Sequence, residues 1–235
     1  MKRVLSVIGV VLVVGSLWVW YEVTTFHCPG GPDGPFETYY DNGQVFEKGT
    51  VKDGCWDGPF ESYHDNGQLF QKLTYKDVDF DGPYESYHEN GQLEVKTTYK
   101  DGVQDGLREV YYENGQLFEK WTYKDGVEDG PFEWYFEDGR LMEKGTLKNG
   151  EIDGPLENYY PNGQLRWREV FKDGVYDGPY ESYHDNGRLM EKGTYKDGKR
   201  DGPVEEYYDN GQLQEKETYE SGERDGPTER YHENG

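Results

Sequence analysis

Asp77, Asp79, Asp81 and Gly82 read Asp-x-Asp-x-Asp-Gly, the opening of a calcium loop in which alternate carboxylates supply hard oxygen ligands. His88 stands twelfth in that frame, where a bidentate Glu belongs, so an ordinary turn is the preferred reading and calcium the weaker one. His64, His88, His184 and His232 carry ring nitrogens of the kind that zinc accepts. Ser62, Ser86 and Ser182 would be nucleophiles only beside a base, and no base is placed uniquely near any of them. Cys28 and Cys55, 27 residues apart, could be bridged in an oxidising compartment or remain two free thiols.

The His and Ser candidates recur in step with one spacing, and that spacing decides what they can do. Asp-Gly begins at Asp33, Asp57, Asp81, Asp105, Asp129, Asp153, Asp177, Asp201 and Asp225, a period of 24 without insertion or deletion. Asn-Gly keeps the same step from Asn42 to Asn234, with Asp138-Gly139 standing in once. There are eight full copies and a ninth that stops at Gly235. Position 1 is taken below as the Asp of each Asp-Gly.

Each copy places two short runs rich in aromatic and β-favouring residues around Asn-Gly, which predicts a β-hairpin closed by a type I′ turn. A two-residue turn at positions 10 and 11 makes paired positions sum to 21. Position 5 then faces position 16, and the pairs from Glu37 with Lys48 to Glu205 with Lys216 are acid opposite base in all eight copies. Positions 4, 6, 8, 13, 15, 17 and 19 share the more apolar face, and the position-7 Tyr joins the charged face, opposite Phe70, Phe118 or Met142. Proline after Asp-Gly marks the start of the next strand. The expected fold is all-β, an elongated antiparallel meander, a solenoid-like ribbon of stacked hairpin repeats. Histidines at position 8 of neighbouring copies would be about 9.6 Å apart, too far to share a zinc at ~2 Å per bond. Catalysis and cofactors are therefore not expected.

Tryptophan is what breaks the repeat. Trp121 replaces a small residue at position 17, Trp134 replaces Ser at position 6 and Trp167 replaces Glu at position 15, all on the apolar face. With Phe136 they form the candidate partner-binding surface, against the alternative that they only pack the ribbon. Trp56, Phe80 and Tyr176, at position 24, are read as turn packing.

The formal charge is -23, from 48 acidic and 25 basic residues, which opposes binding of nucleic acid and of anionic lipid by the repeats. Residues 1–21 differ from the rest: Lys2 and Arg3 precede an uncharged apolar run of eighteen residues, long enough for a membrane-spanning helix. The positive flank places residues 33–235 on the outer side, tethered through a linker at 22–32. A cleaved signal peptide is the competing reading, and lipidation at Cys28 is opposed by the bulky His27 before it.

Gly58, Tyr63-His64, Asn66-Gly67, Leu69 and Tyr75 follow the pattern of the bacterial variant of the MORN repeat, and the chain resembles that family from Asp33 to Gly235. The resemblance implies scaffolds for protein or membrane contact, some of them antitoxin-like, and no catalytic residues. The expected function is thus a non-enzymatic, membrane-anchored scaffold for a protein partner. An antitoxin or immunity protein that neutralises a toxin, and a surface adhesin or stalk, are the alternatives. The expected location is the bacterial inner membrane with the repeats on the periplasmic side, or secretion after cleavage.

Overall fold

The computed structural model describes residues 28–234 and, ahead of them, the backbone of 11–14 and 17–20. Every regular element among the described residues is a strand. The expected N-terminal helix is corrected at the two short segments: Val11–Val14 pairs antiparallel with Leu17–Trp20, Val14 opposite Leu17. β-Branched Val is stiff at χ1 and favours extended backbone there. The rest of 1–21 lies outside the described residues. No helix among the described residues is long and apolar enough to cross a membrane.

Eight hairpins follow. The second is Cys55–Tyr63 with Leu69–Lys76 and the fifth is Gly130–Tyr135 with Leu141–Lys148, and the others repeat this layout. Paired positions sum to 21 from position 2 to position 6: Gly58 faces Tyr75, Glu61 faces Lys72 and Ser62 faces Gln71. All eight acid–base pairs are Cα partners, Glu157 with Arg168 among them. Consecutive hairpins also pair, Gln71 with Ser86 and Lys72 with Glu85, so the whole is one antiparallel meander. Among the described residues no ladder joins Glu229–Arg230 back to Gly34–Tyr39, and the sheet is open.

The hairpin turn departs from the expected type I′. A bulge falls between positions 6 and 7, so Tyr63 faces Leu69 and not Phe70. Gly67 has φ 83° while Asn66 keeps a negative φ, and the Gly67 N–H donates to the His64 carbonyl at 2.9 Å. This is a type I turn closed by a glycine bulge, favoured because Asn66 Oδ1 accepts the Gln68 N–H at 2.9 Å. Type I′ geometry occurs instead in the second connection, where Asp101 (φ 47°) and Gly102 (φ 82°) fold Val103–Gln104 back on Lys100 and Tyr99. The displaced register also corrects the outer aromatic pairs. Phe70 packs on His64 and Phe118 on Tyr112, both at 4.9 Å between centroids, while the Tyr87 hydroxyl donates to Glu85 at 2.6 Å. On this charged face the shortest ion pairs bridge successive hairpins, Lys72 to Glu85 at 2.7 Å and Lys192 to Glu205 at 2.8 Å.

The other face holds the core. Val51, Trp56, Phe60, Leu73 and Tyr75 form one buried cluster, and Phe132, Leu147, Leu156 and Phe171 another. They occupy positions 4, 17, 19 and 24, so Trp56 is a core residue and more than turn packing. A single-layer sheet can bury these side chains because large rings lie across small residues at position 17. A Cβ on Gly145 would stand 2.7 Å from the Phe132 ring, and one on Gly49 would stand 3.0 Å from Trp56.

Candidate functional site

Positions 6 and 15 face each other within and between hairpins, so they form one row across the sheet. Through its middle the Cα partners run Glu119, Trp134, Glu143, Asn158, Trp167, Ser182 and Glu191. Trp121, two residues after Glu119, stacks on Phe132 at 4.9 Å and 14° and meets Trp134 edge-on at 5.7 Å. Trp121 and Trp167 both pack against the second core cluster. The structure thus brings three of the four candidate aromatic residues onto one face. Phe136 stands apart: it opens the hairpin turn, its N–H donating to the Arg140 carbonyl. Trp134 Nε1, Asn158 Oδ1 and Ser182 Oγ are buried along the row without a hydrogen-bond partner, an arrangement that native interiors seldom leave.

Charge along the row is uneven. Arg108 Nη1 meets Glu119 Oε1 at 2.5 Å, each side chain only 15% exposed. Arg200 Nη2 meets Glu191 Oε1 at 2.7 Å, with its guanidinium 5.5 Å from the Tyr180 ring and 5.6 Å from the Tyr219 ring. Between them, Glu143 accepts Asn158 Nδ2 at 3.0 Å. Burial raises its carboxyl above the usual range. Glu169 is raised as well, by burial first and also by the neighbouring Glu143 charge. Sequence reasoning missed these groups. The signal was present: Arg108 at position 4 and Arg200 at position 24 interrupt otherwise mostly uncharged columns.

The remaining candidates have structural surroundings. His64, His88 and His184 each place Nε2 within 2.9–3.1 Å of the carbonyl 23 residues ahead, where Tyr40, Tyr112 and Tyr160 place a hydroxyl. Asp77 sits in a left-handed turn at φ 49°, Asp79 pairs in the short strand after it, and Asp81 lies 3.4 Å from Lys76. Among the described residues no three His, Cys, Asp or Glu side chains are gathered as a metal-binding group. A disulfide joins Cys28 to Cys55, with Cα atoms 3.7 Å apart, beside a bond from the Gly30 N–H to the Gly54 carbonyl at 3.0 Å.

A search of the curated proteins finds no match. Among solved structures, the crystal structure of TcdB2-TccC3 is similar at 13% identity and TM-score 0.25, over 81% of this chain and 13% of that one. A porin-like protein from Bacteroides uniformis ATCC 8492 is similar at 10% identity and TM-score 0.19, over 85% of this chain and 96% of that one. The MORN repeat variant model matches eight consecutive segments, 32–53, 56–77, 80–101, 104–125, 128–149, 152–173, 176–197 and 200–221. Those segments are the eight hairpins, and the chain belongs to the MORN repeat variant family.

Proposed function

We propose that the ribbon is a non-enzymatic scaffold that holds a protein partner on the face carrying Trp121, Trp134 and Trp167. One observation carries this reading: three tryptophans depart from the repeat within three successive hairpins, on one face, beside buried polar atoms that have no partner among the described residues. Tryptophan supplies a large rigid contact surface with a polar edge, which is what anchors a protein interface. The recurring ionisable groups support a role without chemistry, since position-8 His and position-5 Glu tie hairpins together.

The test is capture of partners by the full chain and by two variants that restore repeat residues, Trp134→Ser and Trp121→Gly. Loss of the captured protein from both supports the face; undiminished capture by both removes it. The apolar run at 4–21 behind Lys2 and Arg3 supports the further reading that the scaffold is tethered to a bacterial membrane with its repeats outside. Protease added to intact spheroplasts should digest the repeats, and full protection would overturn that orientation.

A further inference from the structure

Along the row, carboxylates already hold guanidinium groups of this chain. Glu119 holds Arg108, Glu191 holds Arg200, and Glu215 holds Arg230 at 3.1 Å. Arg200 shows the complete arrangement, a carboxylate at the end of the guanidinium and aromatic rings over it. Glu143 occupies the same position 15, yet no ion pair reaches it among the described residues. Its row neighbour on one side is Trp134, and beyond Asn158 on the other side stands Trp167. The two indoles are roughly 14 Å apart, three strand spacings. Glu169 adds a second carboxylate, and Asn158 Oδ1 is an acceptor without a donor. The lysines of these hairpins are on the opposite face, where Lys144 pairs with Glu157 at 2.9 Å.

We propose that Trp134, Glu143, Asn158, Trp167 and Glu169 form a vacant cradle for an arginine side chain of the partner protein. The proposal rests on the scaffold reading and names the chemistry of the partner. A guanidinium has five donors and no acceptor, lies flat on indole faces, and is weakly enough hydrated to enter a half-buried site. Two carboxylates and a lone amide oxygen between tryptophans match that shape better than the point charge of an ammonium. A cation there also relieves the repulsion between Glu143 and Glu169. The chain's charge of -23 draws a basic partner towards the face and repels an acidic one.

The experiment titrates the full chain with N-acetyl-arginine methylamide and follows the indole N–H resonances, with N-acetyl-lysine methylamide as the comparison probe. Saturable shifts of the Trp134 and Trp167 signals are expected at millimolar probe, with the lysine compound several-fold weaker. Glu143→Gln keeps an acceptor for Asn158 and should weaken binding at least tenfold, whereas Glu113→Gln, at an exposed turn, should leave it unchanged. Trp167→Gln, which installs the residue that Gln71 already provides at position 15, is a second variant expected to weaken binding. Absent or non-saturable shifts, equal affinity in Glu143→Gln, or equal affinity for the lysine probe would overturn the cradle. A partner captured equally by wild type and Glu143→Gln but lost from Trp134→Ser removes the cradle and leaves the scaffold. Capture unaffected by Trp134→Ser and Trp121→Gly removes the scaffold itself, whatever the probe does.

Discussion

Asn66 Nδ2 donates to the carbonyl of Glu89, 23 residues ahead, at 3.0 Å, while its Oδ1 accepts the Gln68 N–H at 2.9 Å. Asn42, Asn90, Asn114, Asn162, Asn186 and Asn210 repeat the reach forward, so the asparagines form a ladder between hairpin turns. Asp138 shows the turn without the donor: its Oδ1 still accepts the Arg140 N–H at 3.0 Å, but the forward bond is made by the Arg140 side chain to the Pro161 carbonyl. Asn66→Asp should therefore keep the turn and lose the rung, at a cost of about 1 kcal/mol. Urea unfolding measures it, and an unchanged midpoint would show that the ladder contributes nothing.

Phe136 offers the converse. Every other position-8 residue from Tyr40 to Tyr208 reaches the next hairpin's carbonyl through a hydroxyl or ring nitrogen. Phe136→Tyr should supply the missing bond, to the Tyr159 carbonyl, and raise stability by about 1 kcal/mol. A lower melting temperature would mean that the hydroxyl finds no acceptor there.

Val78 holds φ 73° after Asp77 at φ 49°, where the equivalent residues are Gly102, Gly126 and Gly150. A β-branched side chain in left-handed backbone is strained by roughly 1–2 kcal/mol. Val78→Gly relieves that strain and adds some unfolded-state entropy, so a net gain of about 1 kcal/mol is expected. Val78→Ala should gain less. Thermal melting of the three proteins decides it: the order Gly, Ala, Val in falling stability is expected, and any other order rejects strain as the cause.

The register was legible in the sequence because hairpin pairing is local, and Glu61 with Lys72 can be tested within one copy. The turn type was not. Asn-Gly suits both a type I′ turn and a type I turn with a glycine bulge, since glycine takes positive φ in either. What separates them is the second contact of Asn66, which lies in the next copy. Trp121, Trp134 and Trp167 were legible as departures from the period. The paired guanidiniums were not, because Arg200 acquires its meaning only from Tyr180, Glu191 and Tyr219, on strands that come together in the folded sheet.

Lys192 Nζ at 2.8 Å and the Tyr207 hydroxyl at 2.5 Å hold the Glu205 carboxyl at about 2, down from 4.5. Lysine and tyrosine donors lower Glu61, Glu85, Glu133 and Glu157 in the same way. A carboxyl whose folded pKa is depressed contributes stability that is full above about 4.5 and is lost as pH falls towards 2. Glu47, Glu143, Glu169 and Glu206, raised chiefly by burial, act with the opposite sign and destabilise the fold as they ionise. Glu205→Gln should be less stable than wild type at pH 7, with the gap closing between pH 4.5 and 2. Urea midpoints across that range measure the gap, and a constant difference would show that its source is not the charge.

Cys55 is followed by Trp56, 2% exposed at the centre of the first core cluster, and its bridge to Cys28 lies at the edge where Gly34–Tyr39 has no strand outside it among the described residues. Closing a loop of this length restricts the unfolded chain by about 3–4 kcal/mol in the entropic account. In a ribbon whose hairpins contact only their neighbours, that restriction acts locally. Reduction should therefore speed amide exchange in Gly34–Tyr39 and Val45–Lys52 while leaving Gly202–Tyr207 unchanged. Uniform acceleration along the chain would instead mean that the hairpins unfold as one cooperative unit. The bridge itself is checked by intact mass on protein recovered from its native compartment. Two thiols that alkylate before any reductant is added would contradict it, and would weaken with it the case that the repeats lie outside the cell membrane.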